Sequence, residues 1–189
     1  IVLGEVVVGV VTGLSEVERT AEAILTGLLG LMIGFGVWWS YFDFVGRRMP
    51  RADRGVGSYW TASHLPITMG IAAAGAALVN LIEHAGDDRA PEGAALLLGG
   101  SVATTLVFLA VVLSTLRDFE RLQIIYRPLR VELLVAAALA LLLGLWAPAP
   151  WLLALLLVVL LSAMWLRAVA RWMSMDNPNE ALPDGADHL

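Results

Sequence analysis

Three ionisable side chains stand within or at the edge of apolar runs: Glu5 in Leu3-Gly4-Glu5, Asp43 in Trp38-Trp39-Ser40-Tyr41-Phe42-Asp43-Phe44, and His64 in Ser63-His64-Leu65-Pro66. An ionisable group inside hydrocarbon costs about 2.5–3.5 kcal/mol on insertion scales, so such groups face protein or water and commonly mark proton or ion pathways. Glu5 has apolar neighbours on both sides and is expected deep in a bilayer if its helix begins upstream of Ile1. A carboxyl there is either a proton or cation site or a hydrogen-bonding contact to a neighbouring helix. Helical spacing puts Gly36, Trp39 and Ser40 on the face of Asp43, a small and polar stripe that fits a lined cavity or a tight helix contact. The alternative is an interfacial Asp43 paired with Arg47 one turn on, a contact of little energetic weight when exposed.

For His64 two local structures are open. Ser63 can cap a helix that has Pro66 in its first turn, or the helix starts near Ser58 and Pro66 kinks it, freeing the carbonyl of Ala62. Either version places His64 at the depth of Asp43, where the two would form a proton-exchanging pair if they faced each other. An interfacial His bonded to its neighbours is the other reading. Further along the same run, Asn80, Glu83 and His84 share one helix face at its far end, with Glu83 and His84 expected to be wet and Asn80 able to bond a neighbouring helix. Glu132, at the start of a later run, suits a helix N-terminus.

The elements that must position these residues are membrane helices. Of the 189 residues 59% are hydrophobic and 15% charged, whereas soluble domains carry about 25% charged residues and lack apolar stretches of twenty. The expected fold is an all-α, polytopic transmembrane bundle. About 20 apolar residues cross the hydrocarbon, which gives spans near 1–14 (partial), 23–45, 63–84, 93–116, 131–147 and 151–172, and a polar tail over 173–189 that is expected to be disordered. Ala147-Pro148-Ala149-Pro150 makes the last two spans a hairpin, because two prolines in four residues cannot continue a helix.

Every basic residue is Arg, and the Arg residues alternate from loop to loop. Arg47, Arg48, Arg51 and Arg54, then Arg117, Arg121, Arg127 and Arg130, then Arg167 and Arg171 fall on one side. Arg19 and Arg89 fall on the other among Glu16, Glu18, Glu22, Asp87, Asp88 and Glu92. The positive-inside rule makes the first side cytoplasmic, with the C-terminus there, and six crossings fit the alternation better than five. Trp38, Trp39, Trp60, Trp146, Trp151 and Trp172 lie near span ends, as an interfacial belt does. Small residues concentrate in spans two to four, around Gly30 and Gly34, Gly70 to Ala77, and Gly99 to Ser101, so these three are expected to pack together. Spans five and six, rich in Leu, Ala and Val, are expected at the periphery and without a functional pocket.

The absence of Cys removes disulfides and thiolate chemistry, and three His make a multi-histidine metal centre improbable. An acidic balance with dispersed Arg argues against a nucleic-acid partner. No Gly-x-Ser-x-Gly elbow, His-Glu-x-x-His, Walker loop or dinucleotide fingerprint is present, so neither soluble-type catalysis nor a cofactor is expected.

Ile1-Val2-Leu3-Gly4-Glu5 with Gly9, Trp38-Trp39-Ser40-Tyr41-Phe42-Asp43, and His64-Leu65-Pro66 with Gly70 recur in this order in the bacterial low temperature requirement A (LtrA) family, which the sequence resembles over most of its length up to the last span. The resemblance implies a bacterial inner-membrane protein. Members of that family are roughly twice as long, with an earlier half carrying a Phe-Phe-Asp-Leu type motif, so the resemblance also implies a C-terminal half whose partner is the missing N-terminal half or a second subunit. The motif positions carried over are Glu5, Trp39, Tyr41, Asp43, His64 and Pro66, and the family name supplies no reaction. The leading expectation from the residues is a proton- or cation-linked transporter or channel, with Glu5, Asp43 and His64 as its ion site and Trp39, Ser40, Tyr41, Pro66 and Asn80 in support. The alternatives are a non-catalytic membrane component acting through helix packing or a partner, and, last, a membrane-embedded enzyme using Asp43 and His64.

Overall fold

A computed structural model describes residues 4–18, 20–46, 48–119 and 123–174, without the side chains of Asp118 and Trp172. The tail beyond Ser174, the Ile1 to Leu3 part of the first motif, Arg19, Arg47 and Arg121 lie outside the described residues. Six α-helices follow one another: α1 Gly4–Glu16, α2 Ala21–Phe44, α3 Val56–Glu83, α4 Glu92–Ser114, α5 Gln123–Trp146 and α6 Pro150–Met173, with a 3-10 turn at Arg117–Phe119. All of α2 to α6 contain stretches long and apolar enough to cross a membrane. The chain is a helical membrane bundle.

Local sequence sets the helix limits. Thr20 caps α2, its Oγ1 accepting from the Ala23 N–H at 3.2 Å, with Glu22 in the first turn where a negative charge suits the helix dipole. Gly55, at φ +83°, turns the chain into α3. Ala147, at φ 47°, and Pro148 break the chain between α5 and α6, and Pro150 opens α6.

Two helices extend beyond their apolar runs. α3 begins at Val56, so Pro66 lies inside it and Ser63 is no N-cap; the Ser63 hydroxyl donates to the Tyr59 carbonyl at 2.8 Å. α5 begins at Gln123, which places Arg127 and Arg130 on a helix and Glu132 in its third turn rather than at its start. In both cases charged or polar residues end the hydrophobic run without ending the helix, since Tyr126 and Leu129 of α5 and Trp60 of α3 still pack against the core.

Neighbouring helices form a ring in the order α1, α3, α4, α5, α6, α2, with α4 reaching across to α2 and α6. The closest approaches are at glycines. A Cβ on Gly9 would sit 2.2 Å from the Gly75 carbonyl oxygen, and one on Gly75 would sit 2.5 Å from that of Glu5, so α1 and α3 touch backbone to backbone. Gly99 and Gly144 do the same for α4 and α5, at 2.5 Å from Ala140 O and 2.7 Å from Ala95 O. The expected grouping of spans two to four holds for α3 and α4, where Gly70 lies against Ser101 and Thr105, and is corrected for α2. Of the glycines of α2, Gly34 and Gly27 receive α1, through Val6 and through Val10 and Leu14, while Gly30 meets Leu78 of α3 first, and α2 packs more on α6 than on α3. Small residues permit approach without specifying from which side it comes.

The loops gather at two ends. At one, the backbone around Met49 to Arg51 pairs with Thr115 to Arg117, through Arg51 N–H to Thr115 O and Arg117 N–H to Met49 O at 3.0 Å each. At the other, the Ala90 N–H donates to Pro148 O and Arg89 to Trp146 O. Arg48, Arg51, Arg54, Arg117, Arg127, Arg130, Arg167 and Arg171 thus share the first end.

Candidate functional site

At the Arg-rich end the last turn of α2 meets the start of α3. His64 is half-buried there, two residues before Pro66, whose missing N–H leaves the Ala62 carbonyl without its helical donor. The His64 ring lies between two aromatic partners. Its Nδ1 is 2.7 Å from the Trp60 carbonyl, its Nε2 is 3.1 Å from the Tyr41 hydroxyl, and its ring centroid is 4.3 Å from that of Trp60. A carbonyl can only accept, so Nδ1 carries a hydrogen in this arrangement. Nε2 then either accepts from the Tyr41 O–H as a neutral imidazole or donates to the Tyr41 oxygen as an imidazolium. The Tyr41–His64 contact can therefore hold a proton in two ways with little movement.

Asp43, one half-turn beyond Tyr41, points elsewhere. It is exposed, and its Oδ2 accepts from the Trp165 indole N–H of α6 at 2.8 Å. Asp43 and His64 thus lie near the same end on α2 and α3, while their hydrogen bonds run to different helices. Arg47, the alternative partner of Asp43, lies outside the described residues. Trp39 and Trp165 meet edge to face at 5.8 Å, and together with Phe35, Gly36, Leu161 and Ser162 they line an open, apolar groove of about 410 Å³ between α2 and α6. A second pocket, of about 310 Å³, lies one turn further along, with Asp43, Arg48, Tyr126 and Ala168 in its wall. The Arg48 guanidinium is 5.2 Å from the Tyr126 ring centre. Both pockets border α6 and the second also borders α5, and a Cβ on Gly36 would come within 3.3 Å of Leu161, so the missing side chain lets α2 and α6 approach closely there.

Trp165 escaped the sequence reading. Its signal was its position: it lies inside the last apolar run, while the other Trp residues fall near span ends. Ser40 is buried and donates to the Gly36 carbonyl at 2.8 Å, so it serves its own helix rather than Asp43. Asn80 donates to Glu83 Oε2 at 3.2 Å, also within one helix. It lies sixteen residues, about 24 Å, from His64 along α3. Glu132 accepts from Arg171, tying α5 to α6 at the Arg-rich end.

Glu5 is placed apart from both Asp43 and His64. Its carbonyl abuts Gly75, and its neighbour Val6 abuts Gly34. Gly34 is nine residues from Asp43 and Gly75 eleven from His64, about 14 and 16 Å along their helices. Glu5 therefore sits near mid-height of the bundle, with its side chain on the outer surface of α1. Between α1, α2, α3 and α4, level with it, the interior is closed: the cavity bounded by Val6, Ile33, Gly70, Ala74, Ser101 and Thr105 is about 10 Å³, at or below the room one water needs. Among the described residues no group of three His, Asp or Glu could hold a metal ion.

Long apolar helices, glycine-mediated crossings, Arg gathered at one end and large aliphatic side chains turned outward define a polytopic helical membrane protein, whose surroundings are a lipid bilayer. The chain belongs to the bacterial low temperature requirement A protein (LtrA) family, whose model matches residues 1–170. No curated protein and no solved structure matches it.

Proposed function

We propose that this chain forms part of a proton- or cation-linked transporter of the bacterial cytoplasmic membrane, with the Arg-rich end and the C-terminus facing the cytoplasm. The observation that carries the reading is Glu5, a carboxyl near mid-height of a bundle whose other described ionisable groups lie towards its ends. A carboxyl at that depth can accept a proton or hold a small cation in transit. In this reading the Tyr41–His64 contact passes a proton at the cytoplasmic end, and Asp43, held by Trp165, presents its second oxygen to the same end. The closed interior favours a pathway along the outer face of α1, completed by another membrane element, over a pore through these six helices.

The test is flux in proteoliposomes holding the full-length protein under imposed pH and cation gradients. Wild type should show gradient-driven flux and Glu5→Gln should lose at least nine-tenths of it while running as a monodisperse peak. Equal flux in both would overturn the assignment of Glu5.

A second reading has its own support. The hydroxyls of Ser40, Ser63 and Thr105 all donate to carbonyls of their own helices, leaving a dry, tightly packed centre suited to a structural component acting through a partner. Absence of flux under every gradient, with lower melting temperatures in the Asp43 and His64 variants, would favour it.

A further inference from the structure

The outer surface of the bundle has two characters. Around α2, α5 and α6 it is built of large aliphatic and aromatic side chains such as Leu28, Phe35, Leu142, Leu145 and Val159, which is what lipid tails meet. Along the seam between α1 and α3, polar and small residues stand among exposed apolar ones such as Val8 and Met69. Helical spacing from Gly9, which faces α3, turns Glu5 and Thr12 to the α3 side of the exposed face of α1, and spacing from Gly75 turns Thr68 and Ala72 to the α1 side of the exposed face of α3. A carboxyl and a methyl thus border the seam near mid-height, with the Thr12 and Thr68 hydroxyls about 10 Å to either side along it.

Lipid tails offer Glu5 neither a donor nor a counter-charge. The chain's own described residues do not supply one either: no described side chain bonds or pairs with Glu5, and the described Arg residues all lie at the ends. Two copies related by a two-fold axis along this seam would bring carboxyl towards carboxyl, which repels unless a proton is shared.

We infer that the α1–α3 seam is an intramembrane docking surface for a transmembrane helix that is not among the six described here, and that this helix presents a cationic or amide side chain to Glu5 at mid-bilayer. Thr68 and Ala72 allow its backbone to come close, as small residues do at helix contacts in lipid. The inference shares Glu5 with the transport reading and stands without it, because a carboxyl at this depth needs a partner whether or not an ion moves.

A photo-crosslinking amino acid placed singly at Val8, Ala72, Leu142 or Val159 of the full-length protein, in native membranes, tests it. Val8 and Ala72 should yield adducts to an apolar polypeptide segment containing Arg, Lys, His, Asn or Gln, and Leu142 and Val159 should yield lipid adducts. Glu5→Leu should lower the Val8 adduct at least fivefold, and Glu5→Gln, which keeps a hydrogen-bond acceptor but no charge, should lower it less than Glu5→Leu does. Lipid adducts at all four positions, or Val8 adducts to residues 1–189 of a second copy, would overturn the inference. Retained adducts with no flux in the wild type would leave the docking surface standing and remove the transport reading.

Discussion

The indole N–H of Trp165 donates to the carboxylate of Asp43 at 2.8 Å, joining α2 to α6 across 122 residues of sequence. The same Trp165 ring walls the α2–α6 groove on one side of the bond, and Asp43 borders the second pocket on the other. The pair is thus a bar across a seam that is otherwise apolar.

A double-mutant cycle isolates that bar, because the ring area lost with Trp165→Phe cancels in the coupling energy. In a double-mutant cycle, Trp165→Phe and Asp43→Asn should each lower the melting temperature in detergent, with a coupling energy of about 1 kcal/mol, below the roughly 1.5–3 kcal/mol of a buried bond to a charged group because Asp43 is exposed. Additive effects would mean that the bond carries no stability.

Tyr41→Phe keeps the ring beside His64 and deletes the hydroxyl that Nε2 meets at 3.1 Å. The nitrogen-15 resonance of Nε2 should shift, while that of Nδ1, still bonded to the Trp60 carbonyl, should stay. The stability loss should be about 0.5–1.5 kcal/mol, the ordinary worth of one hydrogen bond. An unmoved Nε2 resonance would show that the contact is not made in solution.

Gly9 and Gly99 have no space for a methyl group, since a Cβ would meet carbonyl oxygens at 2.2 and 2.5 Å. Gly9→Ala and Gly99→Ala should each force a helix pair apart and cost about 1–3 kcal/mol, read as a drop in melting temperature. Gly100→Ala, where a Cβ meets nothing within 4 Å, is the control and should be neutral. Equal melting of all three would contradict the crossings described.

Arg171 and Glu132 are paired, with side-chain exposures of 39% and 15%. Arg171→Gln strips Glu132 of its counter-charge and should destabilise by about 1–2 kcal/mol, less than the roughly 3–5 kcal/mol of a fully buried pair because Arg171 remains partly solvated. Adding Glu132→Gln should recover most of the loss. Failure of that recovery in melting experiments would mean that Arg171 acts through packing alone.

The run of apolar residues between clustered Arg determined the membrane class and which loops share an end, because both follow from transfer free energies that each segment expresses by itself. The Pro-rich hairpin between α5 and α6 was legible for a similar reason: proline acts locally. The start of α3 at Val56 agrees with the reading that put Pro66 inside a helix beginning near Ser58, whereas the start of α5 at Gln123 was not legible, because amphipathic turns end a hydrophobic run while continuing the helix. Nor could spacing along one chain tell that Gly144 receives Gly99, that Gly34 receives Val6 rather than α3, or that Asp43 bonds Trp165 while His64 bonds Tyr41. In lipid every apolar surface is nearly as well solvated as any other, so helix choice rests on shape and on a few polar contacts between distant segments, and those exist only once the helices are packed.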